Sequence, residues 1–221
     1  MLNNLIHRYE LLTEEECKIV RDIILDKEAY VKSLKPDVLL HNLAYNIEGG
    51  EYHLPNTDDP NLKPLSEMWD VFNWISDTTI GDIIKDRLKD IFKELGMKAP
   101  ISMQAWASTL RKGEGIRTHY HSDANHPKTW SGSIFISGNT DPGTTFLVPK
   151  DDNFKGCHSN PKGCTEITLE NKPGELYMFD GYLVHYVSQN PYDTVRISTA
   201  FQIYPDVDTK GKYSMLTIKN L

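Results

Sequence analysis

His121 and Asp123 stand two residues apart in Thr118-His-Tyr-His-Ser-Asp123, and a further histidine, His185, follows far downstream. Two histidines and a carboxylate are the donor set that grips a non-haem Fe(II) on one face and leaves three positions open. On an extended strand, residues i and i+2 point the same way. His121 and Asp123 can therefore reach one metal from a single short segment, and the third donor must come from a neighbouring strand. His185 lies in Gly181-Tyr-Leu-Val-His-Tyr-Val-Ser-Gln189, which has the apolar, β-branched alternation of such a strand. His119 has the same parity as His121 and is its rival. The carboxylate that follows His121 favours His121, and a His-x-His pair remains the alternative.

Arg196 adds a second chemical feature. Asn190-Pro-Tyr-Asp193 is a turn sequence. A two- or four-residue loop there pairs position 185 with 198 and position 187 with 196, so that His185, Ser198 and Arg196 share one face of an antiparallel hairpin. Arg196 then lies two residues, roughly 7 Å, beyond the metal. A planar guanidinium at that distance suits the far carboxylate of a five-carbon dicarboxylic acid whose other end chelates the iron. A one-residue slip in register turns Arg196 to the opposite face.

These residues resemble the Fe(II)/2-oxoglutarate-dependent oxygenases, in particular the small oxygenases and prolyl-hydroxylase-like members. The resemblance rests on His121-Ser-Asp123, His185 and Arg196-Ile-Ser198. It is supported by Trp106, Ser131-Gly-Ser-Ile-Phe-Ile136 and Lys172-Pro-Gly-Glu-Leu-Tyr-Met-Phe179. It implies a double-stranded β-helix, the jelly roll shared with cupins. It also implies Fe(II) held by His121, Asp123 and His185, and 2-oxoglutarate held by Arg196 and Ser198. The implied reaction consumes O2 and couples decarboxylation of 2-oxoglutarate to succinate with hydroxylation of a peptide, protein or small molecule. Tyr120, Trp106 and Tyr177 are further pocket candidates.

The elements that must position these residues follow from periodicity. Residues 13–34 read as a helix, with a Thr13/Glu16 capping box and an apolar stripe of Ile19, Val20, Ile23, Ile24 and Val31. Residues 64–95 read as one or two further helices, stopped at Gly96. From about residue 100 the period becomes two. At least seven short strands follow: 101–110, 118–123, 131–137, 144–148, 166–170, 175–180, 183–189 and 194–204 are the candidates, with 213–219 as a possible last one. The expected architecture is mainly β with N-terminal helices: residues 1–98 as helical support with a lid loop, and residues 99–221 as the catalytic core of a single domain. Tyr45, Tyr52 and His53 are lid candidates.

Composition narrows the alternatives. A formal charge of −7 argues against a protein that grips a phosphate backbone. No apolar run reaches membrane-spanning length, and the N-terminus has no apolar leader core. Three cysteines, an odd number, argue against a secreted disulfide framework, so a cytoplasmic protein is expected. Cys157-His158 and Cys164 lack the tight pairing of a zinc site and read as free thiols. The competing functional classes are a cupin-like metal- or sugar-binding module, which has no need of Arg196-x-Ser198, and a zinc-dependent hydrolase.

Overall fold

The computed structural model describes residues 5–34, 44–46, 50–51, 71–121, 130–141, 143–150, 157, 161–205 and 216–221. The strands are β1 (Ile6–Glu10), β2 (Ala44–Asn46), β3 (Gly50–Glu51), β4 (Ile101–Leu110), β5 (Glu114–His119), β6 (Trp130–Ser137), β7 (Thr144–Pro149), β8 (Cys164–Leu169), β9 (Glu175–Asp180), β10 (Val184–Val187), β11 (Arg196–Pro205) and β12 (Leu216–Ile218). The helices are α1 (Glu14–Leu34), α2 (Val71–Ile75) and α3 (Thr79–Glu94).

The strands form two six-stranded sheets, ordered β1-β9-β6-β11-β4-β12 and β3-β2-β5-β10-β7-β8. Every registered strand pair is antiparallel. From β4 to β11 the chain crosses between the sheets at every step except β7 to β8, which is the double-stranded β-helix that the motif residues implied.

Side-chain parity divides the first sheet. Ile101, Met103, Ala105 and Ala107 of β4, Ile134 and Ile136 of β6, Leu176 and Met178 of β9, and Ile197, Phe201 and Ile203 of β11 join one buried cluster with the helices. From the helices come Val20, Ile24, Phe72, Ile84, Leu88 and Phe92. The opposite parity faces the second sheet: Ser108, Ser133, Phe179, Ser198 and Ala200 line a cavity between the sheets. The period-two alternation of the sequence is thus the partition between a helix-backed core and a polar interior.

The helix start at Thr13 is as the sequence requires. Glu16 N–H donates to Thr13 Oγ1 at 3.3 Å, and Thr13 N–H donates to Glu16 Oε2 at 2.7 Å. Arg87 of α3 bonds both Glu16 carboxylate oxygens, at 2.6 and 2.9 Å, and so ties the two long helices together. Among the described residues, no helix is long and apolar enough to cross a membrane.

Three sequence expectations change. β1, which pairs with β9 at the edge of the first sheet, was not foreseen, because His7, Arg8 and Glu10 break its apolar pattern. Cys157 and Cys164 are bonded to each other rather than free, with a Cα–Cα separation of 5.8 Å. Pairing of β7 with β8 through Pro149↔Cys164 fixes one of the two sulfurs beside the insertion, and Cys157 is fully buried against Leu147 and Val184. Cys17 is the free cysteine among the described residues.

The third change concerns β10 and β11. They do not form a hairpin: β10 pairs with β5 and β7, and β11 pairs with β4 and β6. The link between them crosses the end of the sandwich, and Asn190 holds it there. Its amide donates to Leu110 O at 3.0 Å and Thr194 O at 2.8 Å, while its backbone exchanges hydrogen bonds with Gly113 and Glu114. Gly138 also shapes this end. It has φ +116°, and a Cβ there would stand 2.7 Å from the Arg196 Cα, so the turn after β6 can lie against β11 only without a side chain.

Candidate metal centre

His119 ends β5 and pairs directly with His185 of β10. Both rings are buried, and their centroids are 4.2 Å apart. His121 lies two residues past the strand. Its backbone N–H donates to Gly181 O at 2.8 Å, which folds the segment back so that its ring stands 5.0 Å from that of His119 and 4.9 Å from that of His185. The three imidazoles each offer a nitrogen, and these nitrogens all lie within 4.8 Å of one another.

The hydrogen bonds decide which nitrogens face the centre. His119 Nδ1 lies 2.7 Å from Arg117 O, and His185 Nδ1 lies 2.9 Å from Leu183 O. A carbonyl oxygen can only accept, so both Nδ1 atoms carry the proton and both Nε2 atoms keep a lone pair. His119 Nε2 and His121 Nε2 are 3.1 Å apart. The His119 lone pair is met there by an N–H when His121 is protonated at Nε2, and by a bound cation when the Ser131 hydroxyl holds the His121 proton at Nδ1. The donor set, three neutral imidazoles with Nδ1 held by outer hydrogen bonds, fits a divalent first-row metal.

Apolar rings surround the histidines. Phe179 meets His185 edge-on at 4.9 Å, Phe146 lies at 5.6 Å from it, and Trp106 meets His121 edge-on at 5.5 Å. This shell limits water at the centre and strengthens electrostatic interactions inside it.

From the histidines the cavity runs between the sheets past Ile116, Thr144, Val187, Ser133, Ser108 and Ser198. Ser108 and Ser198 are direct partners on β4 and β11. Ser108 Oγ is buried and has no hydrogen-bond partner among the described residues. A buried hydroxyl left so is costly, and a polar ligand in the cavity would satisfy it. Arg196 shares the Ser198 face of β11 and is the next residue of that parity, roughly 7 Å along the strand. It is buried, and its guanidinium lies 5.9 Å from the Phe135 ring. Burial pushes its pKa down to about 10, opposed by the charges of Tyr177 and Asp141. It therefore stays cationic at neutral pH.

The sequence-predicted residues fare as follows. His121 and His185 come together, and Ser198 lines the same cavity. Ser198 and His185 meet across the sandwich, from opposite walls, and not within one hairpin. His119, the rival ligand, is in the cluster. Asp123 lies outside the described residues, as do Tyr52 and His53, and Tyr45 falls in β2. Trp106 stands beside His121. Tyr177 bonds Glu170 O and Glu175 instead, and burial followed by the Glu175 charge raises its pKa. Ser108, Ser131, Ser133 and Gln202 were not singled out as site residues. Strand parity carried a signal for Gln202, which continues the 196-198-200 face, and for Ser108, which shares the Gln104-Trp106 face.

Comparison with known proteins agrees with this geometry. Residues 104–202, under half of the chain, match the family described as "Putative 2OG-Fe(II) oxygenase". The matched span runs from β4 to β11 and includes all three histidines, Arg196 and Ser198. No curated protein sequence matches. Solved structures share the fold at low identity. AviO1 from Streptomyces viridochromogenes Tue57 superposes with a TM-score of 0.58 at 11% identity, covering 92% of this chain and 90% of that one. A non-heme monooxygenase, ThoJ, solved as a nickel complex, gives 0.56 at 12%, covering 99% and 82%. A prolyl hydroxylase from Trichoplax adhaerens, in complex with a hypoxia inducible factor peptide fragment, gives 0.53 at 10%, covering 92% and 84%. The resemblance to 2OG-Fe(II) oxygenases read from the motif residues therefore holds, and with the three-histidine cluster it implies Fe(II), 2-oxoglutarate and O2 as the cofactor set.

Proposed function

We propose that this chain is an Fe(II)- and 2-oxoglutarate-dependent dioxygenase that hydroxylates a peptide, protein or small molecule while 2-oxoglutarate is decarboxylated to succinate. The observation that carries the reading is one cavity lined by three histidines whose nitrogens lie within 4.8 Å of one another and by Ser198, with a buried cationic Arg196 two residues from Ser198 on the same face of β11. When bound, iron and 2-oxoglutarate together supply the O2 activation that hydroxylation of an unactivated carbon requires.

The protein's residues divide the remaining work. His121 and His185 hold the metal as the sequence expects, and His119 supplies the third nitrogen. Arg196 and the Ser198 hydroxyl bind the far carboxylate, for which a buried guanidinium is well suited. Phe146, Phe179 and Trp106 keep water from the centre. In this reading residues 99–221 are the catalytic core, residues 1–98 support it, and the reaction takes place in the cytoplasm. The Cys157–Cys164 bond pulls the other way on that last point, since cytosolic disulfides are rare.

The test is an anaerobic titration of metal-free protein with Fe(II) and 2-oxoglutarate, following the visible charge-transfer band of a chelated keto acid. A band that needs both components is expected. One bound metal without a band would point to a cupin-like binding module. Repeating the titration on His119→Ala and Asp123→Ala identifies the third ligand. Loss of the band in His119→Ala with retention in Asp123→Ala makes the centre an all-histidine one; loss in Asp123→Ala with retention in His119→Ala makes Asp123 the third ligand, as the sequence expects.

A further inference from the structure

His119 and His185 are oriented by their own chain segments, each through the carbonyl two residues upstream. His121 lies beyond the end of β5, and its ring is oriented from the opposite sheet. His121 Nδ1 lies 2.9 Å from Ser131 Oγ. Gln202 Nε2 donates to the His121 carbonyl at 2.6 Å. Tyr204 O–H donates to Gln202 Oε1 at 3.2 Å, which turns the amide so that its nitrogen faces His121. Ser131 and Gln202 are direct partners in the β6–β11 ladder, and both are buried, Ser131 completely.

We propose that Ser131 and Gln202 act as a paired set of positioning residues that fix the tautomer and the place of His121, and thereby set the metal affinity of the centre. This rests on the reading that the three histidines hold a divalent metal. A neutral imidazole can give its Nε2 lone pair to a metal only if the proton sits on Nδ1. At His119 and His185 a carbonyl enforces that arrangement. At His121 the Ser131 hydroxyl is the group at Nδ1, and it can accept the N–H without bringing charge into the apolar shell. Gln202 acts on the backbone of the same residue. Together with the Gly181 carbonyl at the His121 N–H, it fixes both peptide groups that flank the Cα. The ring therefore swings on a constrained stem toward an acceptor in a constrained place. Such outer contacts typically govern metal affinity by about 10- to 100-fold.

The experiment uses Co(II) as the probe, loaded into the full chain. Affinity is read by competition with a chelator, and the ligands by proton NMR of the hyperfine-shifted, solvent-exchangeable imidazole N–H signals. Wild type is expected to show three such signals. Ser131→Ala should bind Co(II) about 10- to 100-fold more weakly and lose or broaden one signal, while Ser131→Thr restores both. Gln202→Glu, which sets a carboxylate against the His121 carbonyl, should weaken binding and shift that same signal. Wild-type affinity with three unchanged signals in Ser131→Ala overturns the proposal, and so does a loss that Ser131→Thr does not repair. If Ser131→Ala fails to fold by circular dichroism, Gln202→Glu decides: unchanged affinity and an unmoved signal overturn it. A Ser131-dependent Co(II) site that gives no 2-oxoglutarate-dependent band with Fe(II) supports the positioning pair and overturns the dioxygenase reading. Absence of Co(II) binding in wild type overturns both.

Discussion

Strands β4 and β11 of the helix-backed sheet pair over ten consecutive residues, from Arg196↔Leu110 to Pro205↔Ile101. In the facing sheet, β10 meets β5 through His185↔His119 and Val187↔Ile116, with a register shift between them. The first sheet gives one face to α1, α2 and α3 and buries most of the large apolar side chains there. The second carries two of the three clustered histidines on short strands. The long regular ladder is a fixed wall. The shifted β5–β10 pair aims side chains at it, and β6 shifts against β11 beside Ser198 as well; shifts of this kind beside sites commonly re-aim a residue. His121 shows the dependence most directly, because it belongs to the chain of one sheet and is held by residues of the other.

The comparison can be broken most severely in the helix-backed layer. Phe201 is fully buried, its ring lies 5.5 Å from that of Phe72, and it fills the space where a side chain at Gly132 would stand. Phe201→Ala should cost about 3–5 kcal/mol of stability, read as a lower denaturant midpoint. A midpoint close to wild type would mean that this layer does not dominate folding.

The next largest effect belongs to the cavity wall. Arg196→Gln should raise the 2-oxoglutarate concentration required for the charge-transfer band by at least about 30-fold, or about 2 kcal/mol, with little change in Fe(II) affinity. Equal loss of both would show that Arg196 supports the sheet and not the co-substrate.

Glu28 links α1 to the end of β4. It accepts from Thr109 Oγ1 at 2.7 Å and from Arg111 at 2.8 and 2.9 Å, with Lys32 at 3.1 Å. Burial pushes its carboxyl pKa up, but the Arg111 and Thr109 hydrogen bonds and the Arg111 and Lys32 charges outweigh this and hold it below the usual glutamate range. Its contribution is therefore present above the usual glutamate range and is lost as pH falls through its folded value. Glu28→Gln should lower stability near neutrality by about 1–2 kcal/mol, since Arg111 and Lys32 stay partly solvated. It should also flatten the decline of Tm between about pH 5 and pH 3. A parallel decline in both proteins would remove Glu28 as the acid-sensitive clasp.

The smallest effect sharpens the co-substrate end. Ser198→Ala removes one hydroxyl and should weaken 2-oxoglutarate binding several-fold, about 1 kcal/mol, measured with the same band. No change would leave the carboxylate to Arg196 and the facing Ser108.

Much of the fold was legible in the sequence because it is carried by local patterns. The capping box at Thr13 and Glu16 announces α1. The period-two alternation from Ile101 onward separates the helix-facing residues Met103, Ala105 and Ala107 from the cavity-facing Ser108. The residue types at 121, 185, 196 and 198 are enough to indicate a metal and a dicarboxylate.

Tertiary structure decided how these pieces meet. His119 and His121 have the same parity and the same chemistry, so no local rule separates them. The β5–β10 register brings His119 opposite His185, and the Gly181 carbonyl bends His121 in beside it. The Asn190 link carries β11 into the other sheet, so Ser198 lines the cavity from the wall opposite His185, with Arg196 on the same strand face, a consequence of hydrogen bonds to Leu110, Gly113 and Glu114 distant in sequence. Cys157 meets Cys164, seven residues on, where β7–β8 pairing places Cys164 and burial against Leu147 and Val184 places Cys157. Ser131 and Gln202 look in sequence like ordinary strand residues, and only the packing of one sheet on the other makes them neighbours of His121. The sequence determined which face each side chain takes and what chemistry it carries, because parity and residue type are local properties. Which faces were brought together was decided by strand pairing across the chain, which local spacing does not encode.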